Sequence, residues 1–228
     1  MNNLKTNARI TGALFVLATA AGVTAASLGA WMTEPHSFTL MAGQETQVLI
    51  SALLILVMAL SCAGIGISMY PVLRRYSPGL AVGVAGFRLM EGTLQVGSAV
   101  VLVALLAVSR ELVGPSGPGV PTLVAVGSVL KATHDWFGNG AFLFPFAIGA
   151  SMYYGVFFAV RLVPRWLSAW GFLGLGLMVV AALLAMFGVV GPMSPVEVGL
   201  SVPIALQEMV LAGWLIVKGY RTEGPEGR

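Results

Sequence analysis

Long apolar runs separated by short polar loops organise the whole chain. A helix rises about 1.5 Å per residue, so a hydrocarbon core of about 30 Å takes roughly 20 apolar residues. Six stretches reach that length: residues 10–31, 48–70, 80–109, 141–160, 167–190 and 198–217. They are continuous, unlike the alternating strands of about 10 residues that build a membrane barrel. Helices are the other structure that satisfies its backbone inside lipid. The pattern predicts an all-α fold: a polytopic transmembrane bundle of six helices, forming one integral membrane domain over residues 1–228.

One segment falls outside that scheme. Gly114, Pro115, Gly117, Pro118 and Gly119 interrupt any regular helix. Beyond them, Leu123, Val126, Leu130, His134 and Phe137 share one helical face, with Ser128, Lys131 and Asp135 on the other. Residues 122–137 therefore read as a short amphipathic helix at the outer interface, and equally as an extension of the fourth span.

Composition narrows the class. Only 9% of the residues are charged and 57% are hydrophobic, where a soluble domain carries roughly 25% charge. An ordinary cytoplasmic enzyme, a disordered regulator and a nucleic-acid binder are excluded, and the lipid bilayer is the expected partner. The single cysteine, Cys62, excludes a disulfide framework and Cys-rich metal centres and reads as a packing residue.

Charge placement orients the spans. Lys5, Arg9, Arg74, Arg75, Arg161, Arg165, Lys218, Arg221 and Arg228 are nine of the 12 basic residues, and a six-span topology puts all nine on one side. The opposite side holds Arg110 and Lys131 with Glu34, Glu45, Glu111, Asp135 and Glu197. Basic loops mark the cytoplasmic face, so a multi-pass plasma-membrane protein with both termini cytoplasmic is expected. Lys5, Arg9 and the small residues Val23, Thr24 and Ala25 imitate a secretory signal. The apolar run reaching Trp31 is longer than a usual signal core, which favours a retained first helix. Trp31, Trp166 and Trp214, near span ends, read as interfacial anchors.

Three ionisable residues lie inside the spans: Arg88, Glu91 and Glu208. Each costs about 2.5–3.5 kcal/mol on insertion scales when central and unpaired. Counted from the basic side, all three lie roughly 12–17 Å deep, in one layer near the midplane. Arg88, Glu91, Gly92, Gln95 and Ser98 form one stripe of the third span, with Phe87, Met90, Leu94 and Val101 away from it. Ser201, Ala205, Glu208, Ala212 and Gly219 give the last span a small-residue face. Docking these two faces would bury Glu208 against Arg88.

One guanidinium does not neutralise two carboxylates. One Glu is expected to pair with Arg88, and the other to stay protonated or hold a cation. The site candidates are thus Arg88, Glu91, Gln95 and Glu208. They suit a protein that binds a small solute or a proton, in a transporter- or sensor-like role. A non-catalytic scaffold or partner subunit, its charges only holding helices together, is the alternative. His134 and Tyr154 are weaker candidates. His134 and His36 lie at the outer face, and Tyr153 and Tyr154 either reach the Arg88 layer or serve as interface aromatics. A zinc His-Glu-x-x-His motif, a serine elbow, a P-loop and a dinucleotide fingerprint are all missing. No catalytic residue, metal or cofactor is assigned.

Several segments also carry a family resemblance: Arg9-Ile10-Thr11-Gly12, Phe87-Arg88-Leu89-Met90-Glu91, Tyr154-Gly155, Arg161-Leu162-Val163-Pro164-Arg165 and Trp170-Gly171. The last runs from Pro203 through Glu208 to Gly213-Trp214-Leu215-Ile216-Val217-Lys218-Gly219. Over nearly its whole length the chain resembles the bacterial integral membrane proteins grouped as domain of unknown function 4386. Residues 114–121 fit that pattern less well. The resemblance implies a six-helix inner-membrane protein of bacteria and carries no activity with it.

Overall fold

The computed structural model describes residues 2–33, 37–113, 119–191 and 194–221. Seven α-helices appear among them: α1 (Asn2–Leu28), α2 (Glu45–Leu73), α3 (Pro78–Leu112), α4 (Val120–Asp135), α5 (Leu143–Val160), α6 (Arg165–Met186) and α7 (Pro195–Val217). The fold is all-α, with six helical units long and apolar enough to cross a membrane. The first helix starts and ends earlier than its apolar run, because residues 30–33 tighten into a 3-10 turn.

Local chemistry sets the helix ends. Pro78 and Pro195 each open a helix, where their fixed φ and missing N–H do no harm. Before them, the Ser77 and Ser194 hydroxyls accept from the N–H groups of Leu80 (3.4 Å) and Glu197 (3.3 Å). Arg161, in the left-handed region at φ 56°, closes α5.

The six spans form a ring. α2 packs between α1 and α3, α3 meets α5, α5 meets α6, α6 meets α7, and α7 returns to α1. Missing side chains permit the closest approaches. A Cβ on Gly12 of α1 would stand 2.7 Å from the Ala212 carbonyl of α7, and one on Gly174 of α6 would stand 2.9 Å from Ile204 Cα. Such contacts are how helices associate in lipid, where apolar burial alone gives no advantage.

The end that carries Lys5, Arg74, Arg75, Arg161, Arg165 and Lys218, here the basic end, is also laced by polar contacts. Asn7 donates to the Ser68 carbonyl at 2.6 Å, and the hydroxyls of Thr11 and Ser68 lie 2.9 Å apart. The Arg221 N–H donates to the Leu162 carbonyl at 2.8 Å. Tyr220 donates to Thr11 at 3.4 Å, and burial pushes its phenol up to about 12.

At the far end the helices reach unequal heights. α6 has 22 residues and α7 has 23, about 33–35 Å, whereas α3 has 35, about 52 Å. The projecting part of α3 carries a second apolar cluster, in which Leu102, Leu105 and Leu106 pack on Phe38 and Met41 from the 3-10 segment Ser37–Gln44. The Ser109 hydroxyl accepts from the Ala42 N–H at 2.8 Å, and Arg110 is ion-paired with Glu45.

α4 settles the two readings of residues 122–137. It runs through a π-helical stretch, Trp136–Ala141, into α5, so it extends the fourth span instead of forming a separate interfacial helix. Its docking face keeps Leu130, His134 and Phe137 of the expected set, which meet the second apolar cluster, Ser98 and Gly97, but is turned away from Val126. α4 buries Gly127 and Lys131, while Val126 is 44% exposed. The Phe38 ring explains this: a Cβ on Gly127 would meet it at 2.3 Å, so the bare backbone at Gly127 is the flat surface on which the ring lies. Residues 114–118, Glu34 and His36 lie outside the described residues.

Candidate functional site: a stacked pair of chambers

The polar stripe of α3 faces the interior of the ring. Arg88, Glu91, Gln95 and Ser98 are each at most 3% exposed, whereas Leu89, Met90 and Val100 on the opposite side are 46–63% exposed. A helix with its polar side inward and its apolar side outward suits a lipid surround. Two glycines seat it against α2. A Cβ on Gly66 would meet Arg88 Cβ at 2.8 Å, and one on Gly92 would meet the Ala59 carbonyl at 2.8 Å.

Arg88 donates from Nη1 to Glu91 Oε2 at 2.8 Å, a pair one helical turn apart and almost fully buried. The rings of Phe15 and Phe146 lie 5.6 and 5.4 Å from its Cζ, within cation–π range. Arg88 Nε has no hydrogen-bond partner. The pair borders a chamber of about 260 Å³ lined by residues of α1, α2, α3, α5, α6 and α7.

Glu208 reaches this same chamber from α7, but the expected docking of α3 on α7 does not occur. α7 lies on α1 and α6, and its small residue Ala212 is spent against Gly12. Glu208 therefore faces the Arg88–Glu91 pair across open space, and its Oε1 is buried without a hydrogen-bond partner. Formal charge in the chamber is one guanidinium against two carboxyl groups.

A tight floor closes the chamber toward the basic end. Met69, Leu73, Tyr153, Phe157, Leu211 and Leu215 are completely buried there. Tyr154 belongs to this floor and not to an interface: it donates to Gln207 Oε1 at 2.5 Å, and Gln207 Nε2 donates to the Leu167 carbonyl at 2.9 Å. This relay ties α5, α7 and the start of α6 together. Gln207 escaped the sequence reading. Its signal was an amide beside Glu208 in an otherwise apolar helix.

A second chamber of about 290 Å³ lies toward the far end, bordered by Gln95, Ser98, Lys131, His134 and Asp135. Lys131, expected on a polar outer face, is 8% exposed and donates to Asp135 Oδ2 at 2.5 Å. His134 Nδ1 lies 3.0 Å from both the hydroxyl and the carbonyl oxygen of Ser98, which ties α4 to the polar stripe of α3. Gly22, Met58 and Phe142 border both chambers. The two thus abut, Gln95 above and Glu91 below on consecutive turns of α3, with Met58 and Phe142 at the junction. Among the described residues, no three His, Cys, Asp or Glu converge as metal ligands.

The family profile described as Domain of unknown function (DUF4386) matches residues 10–219, so the chain belongs to that family. Neither the curated proteins nor the solved structures hold a significant match to it.

Proposed function

We propose that this chain is a multi-pass plasma-membrane protein, basic end toward the cytoplasm, that binds a small solute or a proton at Arg88, Glu91 and Glu208. Transport or sensing across the membrane is the role that fits. The observation that carries the reading is Glu208: among the described residues this acid borders the chamber with no ion-pair partner, while the chamber's cation, Arg88, is already held by Glu91. A purely structural charge cluster is expected to be saturated, since an unpaired buried charge destabilises by several kcal/mol. The upper chamber supplies a polar antechamber through Lys131, Asp135, His134 and Gln95, and the aromatic and aliphatic floor separates the site from the cytoplasm. The orientation is supported by the nine basic residues at one end of the spans.

The scaffold reading retains one observation: the Arg88–Glu91 pair, complete in itself and fully buried, serves as a staple within α3. Infrared difference spectroscopy separates the two. A buried carboxyl band that titrates between about pH 5 and 9 and disappears in Glu208→Gln is the expected result. Absence of any such band in the wild-type protein leaves the scaffold. Cysteine labelling in a Cys62→Ser background tests the orientation: a cysteine at position 116 that reacts only from the cytoplasm inverts it.

A further inference from the structure

The walls around Glu208 narrow the chemistry of what the chamber admits. We infer that its ligand is an organic monocation, an amine or quaternary ammonium with a compact apolar or aromatic body, which exchanges with a proton at Glu208. This rests on the chamber being a binding site, as proposed above.

Charge comes first. The Arg88 charge is already matched by Glu91, to which Nη1 donates, and the guanidinium lies between the Phe15 and Phe146 rings, so its open Nε donor adds no net positive charge for an anion. An anion would add to a chamber that already carries one negative charge in excess when Glu208 is ionised. A neutral solute would leave that excess uncorrected. One proton or one monovalent cation balances it.

Wall chemistry comes second. Around Glu208 the chamber is bordered by Phe15, Phe142, Phe146, Met58, Met178 and Ile204, with the hydroxyls of Thr19 and Ser201 and the Cys62 thiol as its neutral polar groups. A hard metal cation wants six or more oxygen ligands, and this wall does not offer them. Aromatic faces and polarisable thioethers suit an organic cation instead, through cation–π attraction and apolar contact. A volume of about 260 Å³ exceeds what a single ion occupies and accommodates a small organic body.

The other titratable groups within electrostatic reach of Glu208 are Arg88 and Glu91 from α3, Cys62 from α2, and Tyr153 and Tyr154 from α5. α1 and α6 contribute none to this chamber. In the exchange, the Glu208 O–H bond breaks, the proton leaves to solvent, and the carboxylate pairs with the arriving cation. The chamber is neutral before and after, and nothing is oxidised or reduced.

Benzyltrimethylammonium tests this, with its uncharged carbon isostere neopentylbenzene as control, on the full chain in lipid nanodiscs. In weakly buffered solution below the titration midpoint of the carboxyl, the cation is expected to release about one proton per bound molecule and to abolish the protonated-carboxyl infrared band. Its apparent affinity should fall about tenfold per pH unit on the acid side, as one-proton competition requires. Neopentylbenzene should release no proton. Glu208→Gln should bind no cation, and Phe142→Leu, which keeps the acid, should weaken binding about threefold to tenfold. A carboxyl that titrates but releases no proton to the cation overturns this inference and leaves the proton site standing. Cation binding undiminished in Glu208→Gln overturns it as well. If no carboxyl titrates, both readings fall together.

Discussion

Two ion pairs of this protein are built alike and sit in different surroundings. Arg88 with Glu91, and Lys131 with Asp135, each join a cation to a carboxylate within one helix, at 2.8 and 2.5 Å. The far-end pair keeps Asp135 39% exposed and balances its own charge. The midplane pair has side chains 2% and 5% exposed and shares its chamber with a second acid. The lesson is that an intrahelical pair satisfies its members but not its surroundings. Local geometry is equally good in both places. What sets the midplane layer apart is a second carboxyl group, Glu208, arriving from another helix without a cation of its own.

The sharpest way to break this contrast is to remove one cation from each layer. Arg88→Met alone strands two buried acids without a cation and should lower unfolding stability by about 3–5 kcal/mol. The triple change Arg88→Met, Glu91→Gln, Glu208→Gln should recover most of that loss. Denaturant titration of the purified protein reads both. If the triple variant is no better than the single one, the midplane charges do not act as a balanced set.

Next in size is the seat of Arg88. Gly66→Val pushes new atoms against Arg88 Cβ and the Ala85 backbone, an overpacking that should cost about 1–3 kcal/mol. The same change at Gly176, where a Cβ would meet nothing within 4 Å, should leave helix packing undisturbed. Equal losses at both positions would mean that the approach of α2 to α3 is not what seats the site. Gln207→Leu orphans the buried Tyr154 hydroxyl and removes the tie to the Leu167 carbonyl, and should cost about 1–3 kcal/mol by thermal unfolding. It should leave the titrating carboxyl band in place, because Gln207 belongs to the floor and not to the chamber.

The smallest effect belongs to the far end. Lys131→Met removes a pair whose acid reaches solvent, so the expected change is about 0–1 kcal/mol. A loss as large as that of Arg88→Met would erase the distinction between the layers.

Much of this was legible beforehand, for identifiable reasons. Apolar run length revealed the six spanning helices, and 3.6-residue spacing revealed the inward stripe from Arg88 to Ser98. Periodicity states which face of a helix is distinctive. It does not state which neighbour covers that face. Hence the small-residue side of α7 was matched to α3, when Gly12 of α1 gave Ala212 a closer seat. Hence also hydrophobicity placed Leu130, His134 and Phe137 on the inner side of α4 but not Gly127, whose bare backbone seats Phe38 while Val126 stays exposed. Gln207 was hidden because its partners, Tyr154 and Leu167, are 53 and 40 residues away in sequence.

The unequal helix heights have a consequence for the lipid itself. Along α6 and α7 the bilayer meets about 33–35 Å of helix, close to the thickness of its own hydrocarbon. Along α3, Val100 and Val103 remain exposed beyond the first 30 Å or so of helix. One molecule thus presents two hydrophobic thicknesses on opposite flanks. A flat bilayer matches only one of them, and the mismatch, at fractions of a kcal/mol per Å, is relieved by tilting the bundle or by thickening the leaflet beside α3. Thick and thin membranes should therefore hold the protein at different tilts, and a change of tilt moves the far-end chamber relative to the headgroups.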